Sequence, residues 1–313
     1  MNFVYAFDNN YNLQGFTAIK SLLDNVDKPI SIHILHSDPN SFQNQFNELK
    51  ENNRLSNLSI HEFKSEDLNF PNIKNKHVSE ATYYRLYINK YLPPDIDSVV
   101  YLDSDILCLN NPLPYIETIN EEIKAKNLLL GARTEHLKNK NNNYIFERLN
   151  LNSSSYFNGG VLVINFQKWL DDKIFEKLQE TVKNNTIELL WWDQDILNQV
   201  IDGKYKDLNF FSNFKLSLDW KIDDSYLRNE VIFLHYQGKL KPWHISGLLQ
   251  EHSNIYQDIY LKTNFSNNSY HLIKENSLYD LSIIIKSIFS GKILKLKNPL
   301  RVILKVISNI ING

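Results

Sequence analysis

A chain of 313 residues, 42% hydrophobic and 12% aromatic, can bury a proper core in one large globular unit or two small ones. Its formal net charge of -2 excludes an overall basic field of the kind that gathers nucleic acid, so any charged partner must be met by local constellations. One cysteine, Cys108, excludes an internal disulfide framework and a thiolate zinc cluster and fits a reducing compartment, with the cytosol as the default.

Up to residue 102, short β-branched or aromatic runs alternate with segments of helical apolar spacing. Residues 3–7 predict a buried strand, Phe16, Ile19, Leu22 and Leu23 one helix face, and residues 30–35 (ISIHIL) a second strand. Phe42, Phe46 and Leu49, at i, i+4 and i+7, give the next helix, and residues 58–63 (LSIHEF) the third strand. Ser79 then opens a helix carrying Arg85, and residues 99–102 form a fourth strand. This alternation predicts an α/β protein with a mostly parallel, doubly wound sheet. Further strands are expected at 128–132, 161–165 and 231–234, and the Asn/Lys-rich run 138–144 (KNKNNNY) reads as a solvated loop.

The character changes near residue 280. From there the chain carries Lys286, Lys292, Lys295, Lys297, Arg301 and Lys305, no acidic residue after Asp280, and isoleucine, leucine and valine between the cations. A cationic amphipathic helix pair, broken near Gly291 and Pro299, suits an anionic membrane surface; the alternative is a helix docked on the body with its lysines solvated. No stretch of about 18 uncharged apolar residues spans a bilayer, and the opening MNFVYAFDNN lacks a basic leader, so the expectation is a cytoplasmic protein held peripherally at the inner membrane face. The division expected is a catalytic unit over 1–265 and a helical, membrane-associating segment over 266–313.

The segment VVYLDSDILCLNNPL, residues 99–113, places Asp103 and Asp105 where the fourth strand stops. In extended chain, residues i and i+2 project to one side, so the two carboxylates form a pair. Close carboxylates repel unless a proton or a cation lies between them, and Mg²⁺ or Mn²⁺ prefers such oxygens. In an open α/β sheet ligands bind beyond the carboxyl ends of the strands where strand order reverses, commonly between strands one and four. Asp8 ends the first strand and the pair ends the fourth. His235 closes the run 231–234 in the same way, and imidazole beside two carboxylates favours Mn²⁺ over Ca²⁺. The nine glycines write neither Gly-x-Gly-x-x-Gly nor a Walker loop, so a diphosphate would be met by a metal and by side chains such as Lys241.

Taken in order, FDNNY after the first strand, TYYRL, YLDSDIL, YFNGGVLVIN, DQDILN and HYQGKLKPWH resemble glycosyltransferase family 8, especially the bacterial lipopolysaccharide galactosyl- and glucosyltransferases and more remotely glycogenin. The match covers about residues 1–250. It implies a GT-A fold, Rossmann-like and nucleotide-binding, a UDP-hexose donor, a glycan or glycolipid acceptor, Mn²⁺ with Mg²⁺ as the second option, and retention of anomeric configuration. Carried onto this sequence, Asp103, Asp105 and His235 would hold the metal. Ala6, Asp8, Asn10 and Tyr11 would form the uridine pocket, with Ser104 at the ribose. Arg85 would reach the donor sugar or diphosphate, Gly238 and Lys241 the phosphates. Asn158, Gly159, Asp193 and Gln194 would surround the hexose, Gln194 on the face opposite UDP. Trp191 and Trp192 read as core or sugar-stacking aromatics. Two departures bear on donor identity: Glu135 stands where many bacterial relatives have an aspartate, and Gly159 replaces a frequent alanine or serine.

Two other readings stay open on the residues alone. A nucleotidyltransferase making sugar nucleotides shares the fold type but usually needs a glycine-rich N-terminal loop, and residues 3–11 contain no glycine. A carbohydrate- or nucleotide-binding module without catalysis is the other.

Overall fold

The computed structural model describes residues 1–64, 70–71, 79–216, 222–238, 241–250, 252–273, 277–296 and 298–311. Lys297, the side chain of Lys295 and residues 239–240 of the HYQGKLKPWH stretch lie outside what is described. Strands β1 (Asn2–Phe7), β2 (Ile30–His36), β3 (Leu55–Glu62), β4 (Ser98–Leu102), β5 (Ile106–Cys108), β6 (Leu130–Leu137), β7 (Ser155–Asn165), β8 (Tyr205–Asp207), β9 (Phe214–Lys215) and β10 (Phe233–His235) form two sheets. The large one runs β3-β2-β1-β4-β7-β6-β8. All its neighbours are parallel except β7, which runs antiparallel to β4 and to β6.

The strands are apolar on both faces because helices cover both sides. Val4, Tyr101 and Leu162 enter one core, Phe3, Tyr5, Val100 and Val163 the other, the alternation of a pleated sheet. The helix Asn12–Asn25 buries the predicted Phe16, Ile19, Leu22 and Leu23. Strand order reverses between β1 and β4, with Tyr5 level with Leu102, so Asp8 and Asp103 both emerge at the same sheet edge.

Several expectations are corrected. The run 128–132 is the start of a longer strand, Leu130–Leu137, and 161–165 is the second half of Ser155–Asn165. The 138–144 loop ends earlier, because Asn143 and Tyr144 begin the helix Asn143–Arg148. The 231–234 strand is Phe233–His235 and lies outside the large sheet, in the order β5-β10-β9. That small sheet turns β10 antiparallel against β5, with His235 level with Ile106.

At the C-terminus the helices Ser277–Phe289 and Pro299–Ile311 are separated at Gly291, which has φ +71°. Ile284, Ile293, Val302 and Val306 pack against Ile245, Leu248, Tyr270 and Leu272 of the body. The outward side chains stay apolar: Leu281, Ile285, Ile288 and Phe289 on one helix, Leu300, Leu304 and Ile307 on the other, with Phe289 88% exposed. No described helix is long and apolar enough to cross a membrane.

Candidate active site

At the carboxyl edge of β1 and β4 lies a cavity of about 570 Å³. Asp103 and Asp105 converge there, but not by strand alternation. The chain turns at Ser104, closed by the Ile106 amide donating to the Asp103 carbonyl at 3.1 Å, and the turn brings the carboxylates together. Ligand atoms of Asp103, Asp105 and His235 lie within 4.8 Å of one another.

The imidazole is oriented from behind. Its Nδ1 stands 2.9 Å from Asn213 Oδ1, while Asn213 Nδ2 donates to Asn158 Oδ1 at 2.8 Å. Because the amide nitrogen is used on Asn158, the amide oxygen is the acceptor, His235 carries its proton on Nδ1, and the Nε2 lone pair faces Asp105 3.3 Å away. Gly160 makes the room: a Cβ there would fall 2.5 Å from His235 Cε1. Asp105 Oδ1 is buried without a hydrogen-bond partner, and its other oxygen pairs with Lys241. Burial works against the Asp105 charge, but the Lys241 ammonium paired with it outweighs burial and holds the carboxyl well below the usual range. An orphaned carboxylate oxygen facing an imidazole lone pair and a second carboxylate fits a divalent cation.

Arg85 is not a surface cation. Ser79 caps the turn of helix Glu80–Lys90 by accepting from the Ala81 amide, and Arg85 is buried at 7% exposure. Its guanidinium pairs with Asp103 at 3.0 Å and with Asp193, donates to the Gly159 carbonyl and lies 4.7 Å from the Tyr101 ring centroid. Burial opposes its charge, yet Asp103 and Asp193 keep it firmly protonated. It lines the cavity, with its charge shared between these two carboxylates. Burial pushes the Asp193 carboxyl up to about 6, against the pull of Arg85 and of the Thr82 hydroxyl that donates to it.

Asp193 and Gln194 start the helix Trp192–Ile201, where Trp192 takes φ +45°, a costly conformation for a bulky residue. Asp195, fully buried, holds the preceding loop by accepting from the Leu190 and Trp191 amides and pairing with Arg148 at 3.0 Å. Gln194 Oε1 accepts from the Gly159 amide at 2.9 Å, and its Nε2 donates to Glu135 and Tyr156. Glu135 gathers four donors, from Asn158, Gln194, Lys215 and Gln237, at 3.1–3.3 Å. Burial would raise its pKa, but Lys215 and Asn158 hold it below the ordinary value.

Of the remaining expected residues, Ala6, Asp8, Tyr11, Ser104, Asn158, Gly238 and Lys241 line the cavity, as do Trp191 and Trp192. Asn10 does not; it is exposed, and its amide donates to Asp8 Oδ1 at 3.0 Å, capping the turn after β1. Gly159 lies behind the wall, where a Cβ would approach Arg85 Nη1 to 3.2 Å. Sequence reasoning missed Thr82, Tyr101, Gln237 and the buried Asn213; no motif spacing connects Asn213 to His235, because the contact is made across the β9–β10 pairing.

Comparison with known proteins assigns the fold and the family. The lipopolysaccharide 1,3-galactosyltransferase of Salmonella typhimurium is 28% identical over 253 residues, 79% of this chain and 74% of its own length. A Haemophilus influenzae protein that bears the name glycosyltransferase is 31% identical over 252 residues, 78% of this chain and 73% of its own. The crystal structure of the galactosyltransferase LgtC with donor and acceptor sugar analogues superposes with a TM-score of 0.69 at 25% identity, covering 90% of this chain and all of that one. The model of glycosyl transferase family 8 matches residues 2–247, and the chain belongs to that family.

Proposed function

We propose that this family 8 enzyme is a retaining, divalent-cation-dependent transferase that moves galactose or glucose from a UDP-sugar to a hydroxyl of a bacterial surface glycan, lipopolysaccharide or lipooligosaccharide. One observation carries the reading: the Asp103, Asp105 and His235 cluster, with its orphaned Asp105 oxygen, at the switch point of the sheet beside a cavity of about 570 Å³. The names of the relatives support the same substrate class.

Two carboxylates and one imidazole suit Mn²⁺, with Mg²⁺ as the second option, and such an ion neutralises the charge that develops on a departing nucleoside diphosphate. The chain's own residues do the rest. Tyr11 and Asp8 hold the base, Ala6 lets it approach, and Ser104 meets the ribose. Lys241, paired with Asp105, is the cation at hand for phosphate oxygens, beside Gly238 with its φ of +80°. Asp193, Asn158 and Glu135 bind hexose hydroxyls. Gln194 keeps its amide oriented through the Gly159 N–H, and an amide is a poor nucleophile. Retention then follows from attack on the face that UDP leaves, with the departing phosphate accepting the acceptor's proton and the Gln194 oxygen steadying an oxocarbenium-like sugar.

We further assign residues 266–313 to association with the cytoplasmic face of the membrane. In support, the outward apolar stripes neighbour the exposed cations Lys286, Lys292 and Arg301.

The test is transfer from UDP-galactose and UDP-glucose to glycan acceptors, with the product read by NMR. An α-glycoside from the α-linked donor is expected; a β-glycoside contradicts retention, and a glycosyl adduct on Gln194 contradicts same-face attack.

A further inference from the structure

Beside the main cavity lies a second, of about 170 Å³, that shares Glu135, His136, Asn158, Lys215 and Gln237 with it. A sugar seated in this side cavity therefore borders the space where the donor hexose would lie. What sets the side cavity apart is Arg133 on β6. Its guanidinium lies 4.4 Å from the Phe210 ring centroid and donates to the Asn213 carbonyl, two contacts that fix its plane without neutralising it. Among the described residues no carboxylate lies within ion-pairing distance of it.

The other charges of the cavity are accounted for. Lys215 Nζ stands 3.2 Å from Glu135 Oε1, and Glu135 also accepts from Asn158, Gln194 and Gln237. Asp207 is engaged by the Thr134 amide at 2.7 Å. Lys215 and Glu135 offset one another, which leaves the guanidinium as the cation on the wall that has no ion-paired carboxylate among the described residues, with Glu135 and Asp207 acting on it only from further away. A partly buried guanidinium without a carboxylate is costly, and burial does push the Arg133 pKa down, against Glu135 and Asp207. A rigid planar cation facing an open cavity matches a carboxylate or phosphate group.

We propose that Arg133, with Lys215 beside it, forms an acceptor subsite for an anion: the acceptor sugar carries a carboxylate or a phosphate. This rests on the transferase reading and narrows its acceptor class. The two sources of negative charge share one chemistry and are separated by matched probes. Methyl galactoside, methyl galacturonide and methyl galactoside 6-phosphate, with the gluco series alongside, differ only at C6.

Binding of each to the full chain, in the presence of UDP and Mn²⁺, is followed by NMR titration. The anionic member of a series, carboxylate or phosphate, is expected to bind roughly 10-fold or more tightly than the neutral one, the scale of one charge-assisted contact. Arg133→Gln should bring that ratio to about one, and the exposed Lys215→Gln should lower it without threatening the fold. Equal affinities, no measurable binding by any member, or a preference that survives both substitutions would overturn the subsite. Failure of the transferase reading shows separately, as absence of any UDP release from UDP-hexose, and leaves the binding ratios to be read on their own.

Discussion

A methyl group on Gly160 would stand 2.5 Å from Cε1 and 2.9 Å from Nδ1 of His235, closer than any packed pair allows. Gly160→Ala should therefore push the imidazole out of line, costing about 1–3 kcal/mol in overpacking and weakening Mn²⁺ binding about 10- to 100-fold. Electron paramagnetic titration of Mn²⁺ reads this, and wild-type affinity in a folded variant would refute it. Asn213→Leu removes the acceptor of the Nδ1 proton at similar volume. Its expected effect is a mixed His235 tautomer, seen in the nitrogen NMR of the ring, together with a comparable loss of affinity. The carboxylates and His235 were legible because each ends an apolar run, and a charge there has few structural uses. Asn213 and Gly160 were not, since what matters about them is a distance across strands that the sequence does not encode by spacing.

At the level of elements, β1, β2, β3 and β4 declared themselves by apolar runs between helical spacings. The direction of β7 did not, because a strand buried on both faces has the same composition whether parallel or antiparallel. Its reversal matters, since it brings Asn158, Gly159 and Gly160 to the edge where Asp103 emerges, with the Asp103 amide donating to the Gly160 carbonyl at 2.9 Å. The C-terminal helices were legible as amphipathic, but their inner face was not assigned to Ile245, Leu248, Tyr270 and Leu272. Cutting the chain near Leu281 should accordingly destabilise the body, so the membrane assignment is better tested by exposed substitutions. Phe289→Asp with Leu304→Asp should leave the unfolding midpoint within a few degrees and abolish sedimentation with anionic vesicles; undiminished sedimentation contradicts the assignment.

The same region carries a pH signature. His271 is buried beside Tyr256, whose hydroxyl lies 2.7 Å from Nδ1, and burial, aided by His244 and Lys305, lowers its pKa from 6.5 to about 3. The unfolded chain takes up that proton first as pH falls. The stability contributed by the neutral ring is thus full above pH 6.5 and drains away between 6.5 and about 3. Denaturant midpoints should fall over this window, and His271→Gln should flatten the slope; an identical slope would exclude His271 as its source.

For the whole molecule, the strand order 3-2-1-4 brings the charged cluster, the cavity and the helix bearing Asp193 and Gln194 to one sheet edge. A near-neutral chain thereby gathers Asp103, Asp105 and His235 at one place, a concentration that net charge alone would never disclose. Gln194→Ala should slow turnover roughly 10- to 1000-fold, the scale of one electrostatic contact, and Asp193→Ala more, because it also frees Arg85. The account turns most directly on UDP release from UDP-galactose and UDP-glucose without acceptor, followed against Mn²⁺ concentration for the wild type and for Asp105→Ala. The prediction is saturable, chelator-sensitive release from one of the donors by the wild type and none above background by the folded variant. Equal release by both proteins, or undiminished release in EDTA, would contradict it.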